Sequence, residues 1–311
     1  MPASFNSAIS AETDADDPRV KETATATRTA TPVRYVPQAI DSIKTANLSD
    51  YGTNDLGTAL GGIPNVSSGA DTRFDSLRIR GFDASNDFYL DGIRDDSQYV
   101  RDLHNIERIE VLKGPAAVLY GRGSQGGIVN RVSKAPEPGR RSTIEAQAGS
   151  EDLRSLYADL SADPSDTVSL RLNMGNQDNN SFRDGVSGNR QLFAPSMSWQ
   201  LTPDLETRFF LRYRETDNDL AGRVTKHSIE HDPRAANPAY VSRDDSRKQP
   251  GSTFIGNKTT YYIDDDSSIQ TGLVYHDYPM DLREGPNRLK VAYTDVSGTF
   301  DYKRRDTIFG M

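Results

Sequence analysis

Between residues 166 and 214, apolar and polar side chains alternate with a period of two in segments of about ten residues, the length a tilted strand needs to cross a bilayer. Val168, Leu170, Leu172 and Met174 alternate with Ser169, Arg171, Asn173 and Gly175. Phe193, Met197, Trp199 and Leu201 share one face of 190–201, while Ser196, Ser198 and Gln200 share the other. Over 204–214, Leu205, Thr207, Phe209, Leu211 and Tyr213 oppose Glu206, Arg208, Arg212 and Arg214, with Phe210 the one exception on the polar face. Successive side chains of a strand point to opposite faces, so each segment has one apolar and one polar side. Weaker segments of the same kind lie at 141–149, 152–162, 256–264 and 267–277.

The links between these segments differ in length. SADPSD, TPD and DDDS are short, whereas NQDNNSFRDGVSGN and the stretch from Asp217 to about Thr253 are long. Only the short link 149–152 departs from strict alternation. Short turns on one side and long loops on the other are the pattern of an outer-membrane barrel. Alternation alone fits a soluble antiparallel sandwich as well. Arginines on the inward face, aromatics near strand ends and long polar loops favour the membrane.

Composition agrees with that preference. The hydrophobic fraction is 35% and the mean hydropathy −0.68, poor for a conventional single-core enzyme but normal for strands that alternate. Nothing approaches 18 consecutive apolar residues, so no transmembrane helix is expected. The net charge of −8 argues against nucleic acid as a partner, which needs a concentrated basic face. The absence of cysteine excludes a disulfide framework and a thiolate metal site. The N-terminus has neither a basic region nor an apolar one, and does not read as a signal peptide.

Upstream, residues 1–34 are rich in Ala, Thr, Ser, Asp and Pro and read as a mobile segment. Residues 35–138 read as a small α+β domain. VPQAIDSIKTANL and NDLGTALGGIP suggest one or two short helices. SLRIRGF, FYLDGI, IERIEVLKG and GGIVNRVSK suggest short strands closed by glycine turns. Residues 139–311 hold the alternating strands.

The stretch from Phe74 to Pro136 carries the most specific wording: RIRGF (78–82), FYLDGIRDD (88–96) and RDLHNIERIEVLKGPAAVLYGRGSQGGIVNRVSKAP (101–136). It resembles the plug domain of TonB-dependent siderophore receptors. YVPQAIDSIK and LGTALGGIPNVS resemble earlier plug elements, and SFRDGV and FAPSMSWQLTPD resemble early barrel strands of that family. The resemblance implies an α+β plug followed by an antiparallel transmembrane β-barrel in the bacterial outer membrane. Of its about 22 strands, this chain holds seven or eight. A chain with so few strands, and without a terminal aromatic strand, is expected to be a fragment or a prematurely ended product.

The implied function is import of a ferric siderophore, energised by the inner-membrane TonB complex, with no catalysis, no cofactor and no resident metal; outer-membrane lipid surrounds the strands. Plug loops at 71–76, 83–87 and 95–101 should point outward. Arg73, Asn86, Gln98, Tyr99 and Arg101 are the candidate ligand residues, because ferric siderophores are often anionic and rich in oxygen. Arg80, Arg108 and Glu110 are the candidates for plug–barrel contacts. RVKETATAT (19–27) sits where the family carries its TonB-contacting box but matches it poorly, and 34 residues are too few for the extra domain of receptors that also signal. The same machinery with haem, cobalamin or a saccharide as cargo is the alternative, beside a non-transporting binding module.

Two motifs invite other chemistry. GRGSQG (121–126) satisfies the dinucleotide pattern, but the residues after it are β-rich and soon meet Pro136 and Pro138, where a nucleotide site needs a helix. His227 and His231 fit a zinc-protease spacing, but Asp232-Pro233 and Gly222 place them in a loop.

Overall fold

The computed structural model describes residues 22–23, 25, 31–49, 55–68, 75–95, 99–114, 120, 125–180, 187–219, 246–264, 267–284 and 287–304. Ten strands, a 3-10 turn (Val33–Tyr35) and two α-helices precede a wall of eight strands among them, all but the first of which are long. The short strands are β1 (Glu22–Thr23), β2 (Thr31–Pro32), β3 (Ala39–Lys44), β4 (Val66–Ser68), β5 (Leu77–Ile79), β6 (Phe82–Asp83), β7 (Phe88–Leu90), β8 (Ile93–Arg94), β9 (Ile106–Lys113) and β10 (Gly127–Ser133). The helices are α1 (Ala46–Ser49) and α2 (Leu56–Leu60). The wall comprises β11 (Thr143–Ala148), β12 (Arg154–Ser165), β13 (Val168–Asn180), β14 (Ser187–Thr202), β15 (Leu205–Asp219), β16 (Ser246–Tyr262), β17 (Ser267–Glu284) and β18 (Asn287–Arg304).

The N-terminal domain is built on a mixed sheet in the order β3-β9-β10-β7-β8, in which β10 and β7 run parallel. β9 and β10 lie at its centre, and Ile109, Val111, Leu112, Ile128 and Val129 are buried there, as both faces of a central strand demand. Asp91-Gly92 joins β7 to β8 with positive φ at both residues, the two-residue hairpin that Asp-Gly favours. Asp55 caps α2, its carboxylate accepting the Thr58 N–H at 2.8 Å.

One expectation is corrected here. The segment 36–48 is not a helix: Ala39–Lys44 is strand β3, aligned antiparallel to β9 from Ala39 opposite Lys113 to Lys44 opposite Arg108. Pairing with the otherwise open edge of β9 satisfies six residues of backbone at once, which outweighs a weak local helical preference. Only Ala46–Ser49 remains helical.

The eight wall strands pair antiparallel in sequence order. Six of them run 13 to 18 residues, beyond the bilayer-spanning minimum of about ten. The eighth, β18, pairs with β17 along its whole length and was not among the alternating segments read from the sequence. Burial decides between sandwich and barrel. On β13 the polar Ser169, Arg171, Asn173 and Gln177 are buried, and the apolar Leu170 and Met174 are exposed. Phe193, Trp199, Phe209, Ile255, Leu273 and Tyr275 continue the exposed apolar face on neighbouring strands. A soluble sandwich buries its apolar face; this wall turns it outward, as lipid requires. Trp199 and Tyr261 sit near the short-turn end of that face, at the level where aromatic belts meet the interface.

The N-terminal domain packs against the polar face of the wall. Its apolar core, with Leu56, Leu60, Ile79, Phe88, Leu103, Ile106, Ile109 and Val129, continues across the boundary onto Phe254 and Val274, with Phe210 packed against it. Phe210 thus breaks the alternation because it meets the plug core. Gly256 makes room for it: a Cβ there would lie 2.5 Å from the Phe210 ring. Gly175 does the same for Tyr157, whose ring lies 2.3 Å from the place a Cβ would occupy.

Candidate functional site

Asp75, Asp95 and the residues from Tyr99 to Arg101 are held by an ion network inside the domain. Arg101 is fully buried. Its backbone N–H donates to Asp75 Oδ2 at 2.8 Å, and its guanidinium lies 3.5 Å from that carboxylate. The same guanidinium donates to the carbonyls of Asp95 at 2.9 Å and Tyr99 at 3.2 Å, and stacks over the Phe88 ring at 3.8 Å. Arg131, from β10, pairs with Asp95, and the Tyr99 hydroxyl donates to the same carboxylate at 2.5 Å. Burial pushes the Asp95 carboxyl up, but Arg131 and Arg101 outweigh it and hold the group well below the usual range. At Asp75 burial wins over Arg101, and the carboxyl is raised.

The wall grips this network from outside. Arg214 of β15 donates to the Val100 carbonyl at 2.5 Å and sits 4.0 Å over the Tyr99 ring. The Tyr278 ring of β17 lies 5.6 Å from the same ring. The Asp75 and Asp95 loops therefore stand toward the end of the wall where β15 and β16 are joined by the long link. Nearer the short turns, Arg171 of β13 forks onto Asp159 at 2.8 and 2.6 Å and donates to the Ala135 carbonyl at 2.7 Å. Arg208 donates to Ser133 Oγ at 3.0 Å and to the Lys134 carbonyl at 3.2 Å. His104 stacks on Tyr157 of β12 with centroids 3.2 Å apart, and both side chains bond Asp102, at 3.0 and 3.3 Å. Burial pushes the Asp102 carboxyl up, but His104 beside it outweighs that and holds it down.

Of the expected ligand residues, Arg73 and Gln98 lie outside the described residues. Asn86 is exposed in the turn before β7, and its carbonyl accepts Arg94 Nη2 at 2.8 Å. Tyr99 and Arg101 do not present themselves to solvent, because their polar atoms are committed to Asp75, Asp95 and Arg131. They tie Asp95 to Tyr99 and Arg101 inside the domain. Of the expected plug–barrel residues, Arg80 is exposed at the β5–β6 turn, with φ at 53°. Arg108 pairs with Glu110 at 2.7 Å, and Glu110 also accepts the hydroxyl of Thr25. Contacts with the eight described wall strands run through Val100, Asp102, His104, Ser133, Lys134 and Ala135. Sequence reading noted Arg171, Arg208 and Arg214 as inward-facing but did not find Asp95, Asp102, Arg131 or Tyr157. Gly175, set into a strand, was the available signal for Tyr157.

The decoy motifs divide. Gly127 opens strand β10 rather than a helix, which removes the context a nucleotide site needs. His227 and His231 lie outside the described residues; among the described residues no group of three metal-ligating side chains converges.

Residues 32–128 match the TonB-dependent Receptor Plug Domain family. The chain carries the plug and eight barrel strands of a TonB-dependent receptor. This receptor chain is 39% identical over 192 residues to the metal-pseudopaline receptor CntO of Pseudomonas aeruginosa, covering 60% of this chain and 27% of that protein. It is 30% identical over 296 residues to the catecholate siderophore receptor Fiu of Escherichia coli K12, covering 85% and 36%. Among solved structures, the siderophore receptor PiuA of Acinetobacter baumannii superimposes with a TM-score of 0.80 at 20% identity, over 94% of this chain and 46% of that one. The receptor chain therefore spans about a third of the length of the curated relatives it matches and about half of the solved chains. Its relatives are transport receptors rather than enzymes, and its lipid-facing strands belong to the outer membrane.

Proposed function

We propose that this chain is the cargo-sensing part of an outer-membrane receptor that binds and imports a ferric siderophore, energised by the inner-membrane TonB complex. One observation carries the reading: a plug whose apex loops are braced by Asp75, Asp95, Arg101 and Arg131 toward the long-loop end of the wall. Such bracing fixes Asp75, Asp95 and the residues from Tyr99 to Arg101; Arg73 and Gln98, close to them in sequence, are the proposed cargo contacts, together with Asn86. No covalent chemistry is needed. The plug supplies affinity and closure, and the partner supplies energy.

A metallophore of another kind is the second reading, supported by the identity to a receptor named for metal-pseudopaline. Growth under iron limitation tests the first. A strain whose uptake depends on the receptor carrying this chain should grow on one class of ferric chelate and lose that growth when TonB is deleted. Growth independent of TonB, or restored only by a non-iron metal chelate, would overturn the siderophore reading.

A further inference from the structure

Hydrocarbon offers a polar side chain no hydrogen-bond partner, so polar residues on a lipid-facing surface are costly unless they satisfy one another. The outward face of β15 and β16 nevertheless holds Thr207, Asn257 and Thr259, on the same side as the exposed Phe209 and Ile255. The three side chains form a closed ring. Asn257 Nδ2 donates to Thr207 Oγ1 at 2.7 Å, and the hydroxyls of Thr207 and Thr259 lie 2.9 Å apart. Thr259 Oγ1 donates to Asn257 Oδ1 at 3.1 Å, so its single hydrogen is spent and Thr207 is the donor of the hydroxyl pair. The second hydrogen of Asn257 Nδ2 goes to the Arg208 carbonyl at 3.3 Å. Every donor of the ring is thereby used, and each side-chain oxygen keeps one lone pair. Thr207 is only 4% exposed, so the half-buried Asn257 and Thr259 carry the acceptors offered outward.

The ring sits where headgroups begin. Thr207 stands opposite both Trp199 and Thr259 in the strand register, and Tyr261 lies two residues beyond Thr259. Asp204, in the short turn, is three residues from Thr207, about 10 Å along the strand. Short turns face the periplasm, and Trp and Tyr mark the interface. The charged neighbours Glu206, Arg208 and Lys258 alternate onto the opposite face, so they do not draw an anionic headgroup to this patch. Neutral acceptors without a free donor suit a primary ammonium, which has three hydrogens to give and accepts none. Thr271 of β17 opposes Thr259 and is exposed, and its hydroxyl can donate to a phosphate. The Cβ spacing across paired strands, about 5 Å, matches the two-carbon span between such an ammonium and its phosphate. We propose that Asn257, Thr259 and Thr271 form a site on the outer face of the wall for a periplasmic-leaflet phospholipid whose headgroup ends in a primary ammonium. The site discriminates against a headgroup whose nitrogen is fully methylated, because that nitrogen has no hydrogen to donate.

The test reconstitutes the receptor carrying this chain in nanodiscs of phosphatidylethanolamine mixed with phosphatidylcholine. The lipids still bound after release into mild detergent are then counted by native mass spectrometry. The wild type should keep one tightly held phosphatidylethanolamine that Asn257→Leu lacks, and should take phosphatidylcholine at that place about tenfold less readily. Ile255→Val, on the same face, should keep that lipid. Equal lipid counts for wild type and Asn257→Leu would overturn the site, as would equal uptake of the ethanolamine and choline lipids at that place. If Asn257→Leu does not fold, the wild type alone decides, through the N-methyl and N,N-dimethyl forms of phosphatidylethanolamine. Retention should fall in order as each N–H is replaced, and a flat series would overturn the proposal.

Discussion

Replacing Asp95 with alanine removes the carboxylate between two guanidinium groups that have no exposure to solvent. Arg131 and Arg101 both face it, and the Tyr99 hydroxyl donates to it at 2.5 Å. Removing one partner of a buried ion pair costs about 3–5 kcal/mol, because the charge left behind is desolvated and unpaired. With two cations facing Asp95, the loss should lie near the upper end, about 4–5 kcal/mol. Asp95→Leu combined with Arg131→Met removes both charges of the closest pair and should cost less than Asp95→Ala alone, the difference measuring their coupling. The assay is denaturant unfolding of the chain in detergent micelles by circular dichroism, joined to hydrogen exchange of the β10 amides 127–133. A loss for Asp95→Ala below about 1 kcal/mol, the range of a surface pair, would refute the argument that this network is dry and structural.

Further outcomes follow from the same geometry. Because the Asp95 carboxyl is held below its usual range, its contribution is complete at neutral pH. It begins to fall only as pH drops through the unfolded aspartate value of about 3.9, which acid-unfolding midpoints of wild type and Asp95→Asn will register. Asp75 has the opposite sign: burial raises its carboxyl, so its ionised form opposes folding and acidification returns that stability. Gly256→Val should cost about 1–3 kcal/mol by driving a side chain into Phe210, while Gly62→Ala, with open space around its Cβ, should stay within about 0.5 kcal/mol; thermal melts separate the two. Leu273→Arg, on the outward face at 60% exposure, should cost up to about 2–4 kcal/mol in refolding into bilayers but little in the plug's own amide protection.

The wall was the most legible part of this chain, because a period of two is printed directly in residues such as Val168 to Met174. Even its exception carried information: Phe210 broke the pattern where the plug core crosses onto β15. Strand β3 was misread for a physical reason. Its sequence, AIDSIK, has no strong local preference, and its conformation comes from the edge of β9, more than sixty residues away. The candidate site was only half visible. Arg101 stood out as a cation in a loop expected to point outward, but its burial depends on Asp75 and Arg131 as well as nearby Asp95, and these meet only in the fold.

Three arginines of the wall each take one main-chain carbonyl of the plug. Arg214 takes the carbonyl of Val100, Arg208 that of Lys134 and Arg171 that of Ala135. A carbonyl is supplied by whatever amino acid stands at the position, so these three bonds recognise the path of the plug backbone and are indifferent to its composition. The side chains at Val100, Lys134 and Ala135 can therefore drift while these three bonds stay intact. By the same reasoning, a plug transplanted from a distant relative with the same backbone trace should keep these three bonds, whatever side chains stand at those positions.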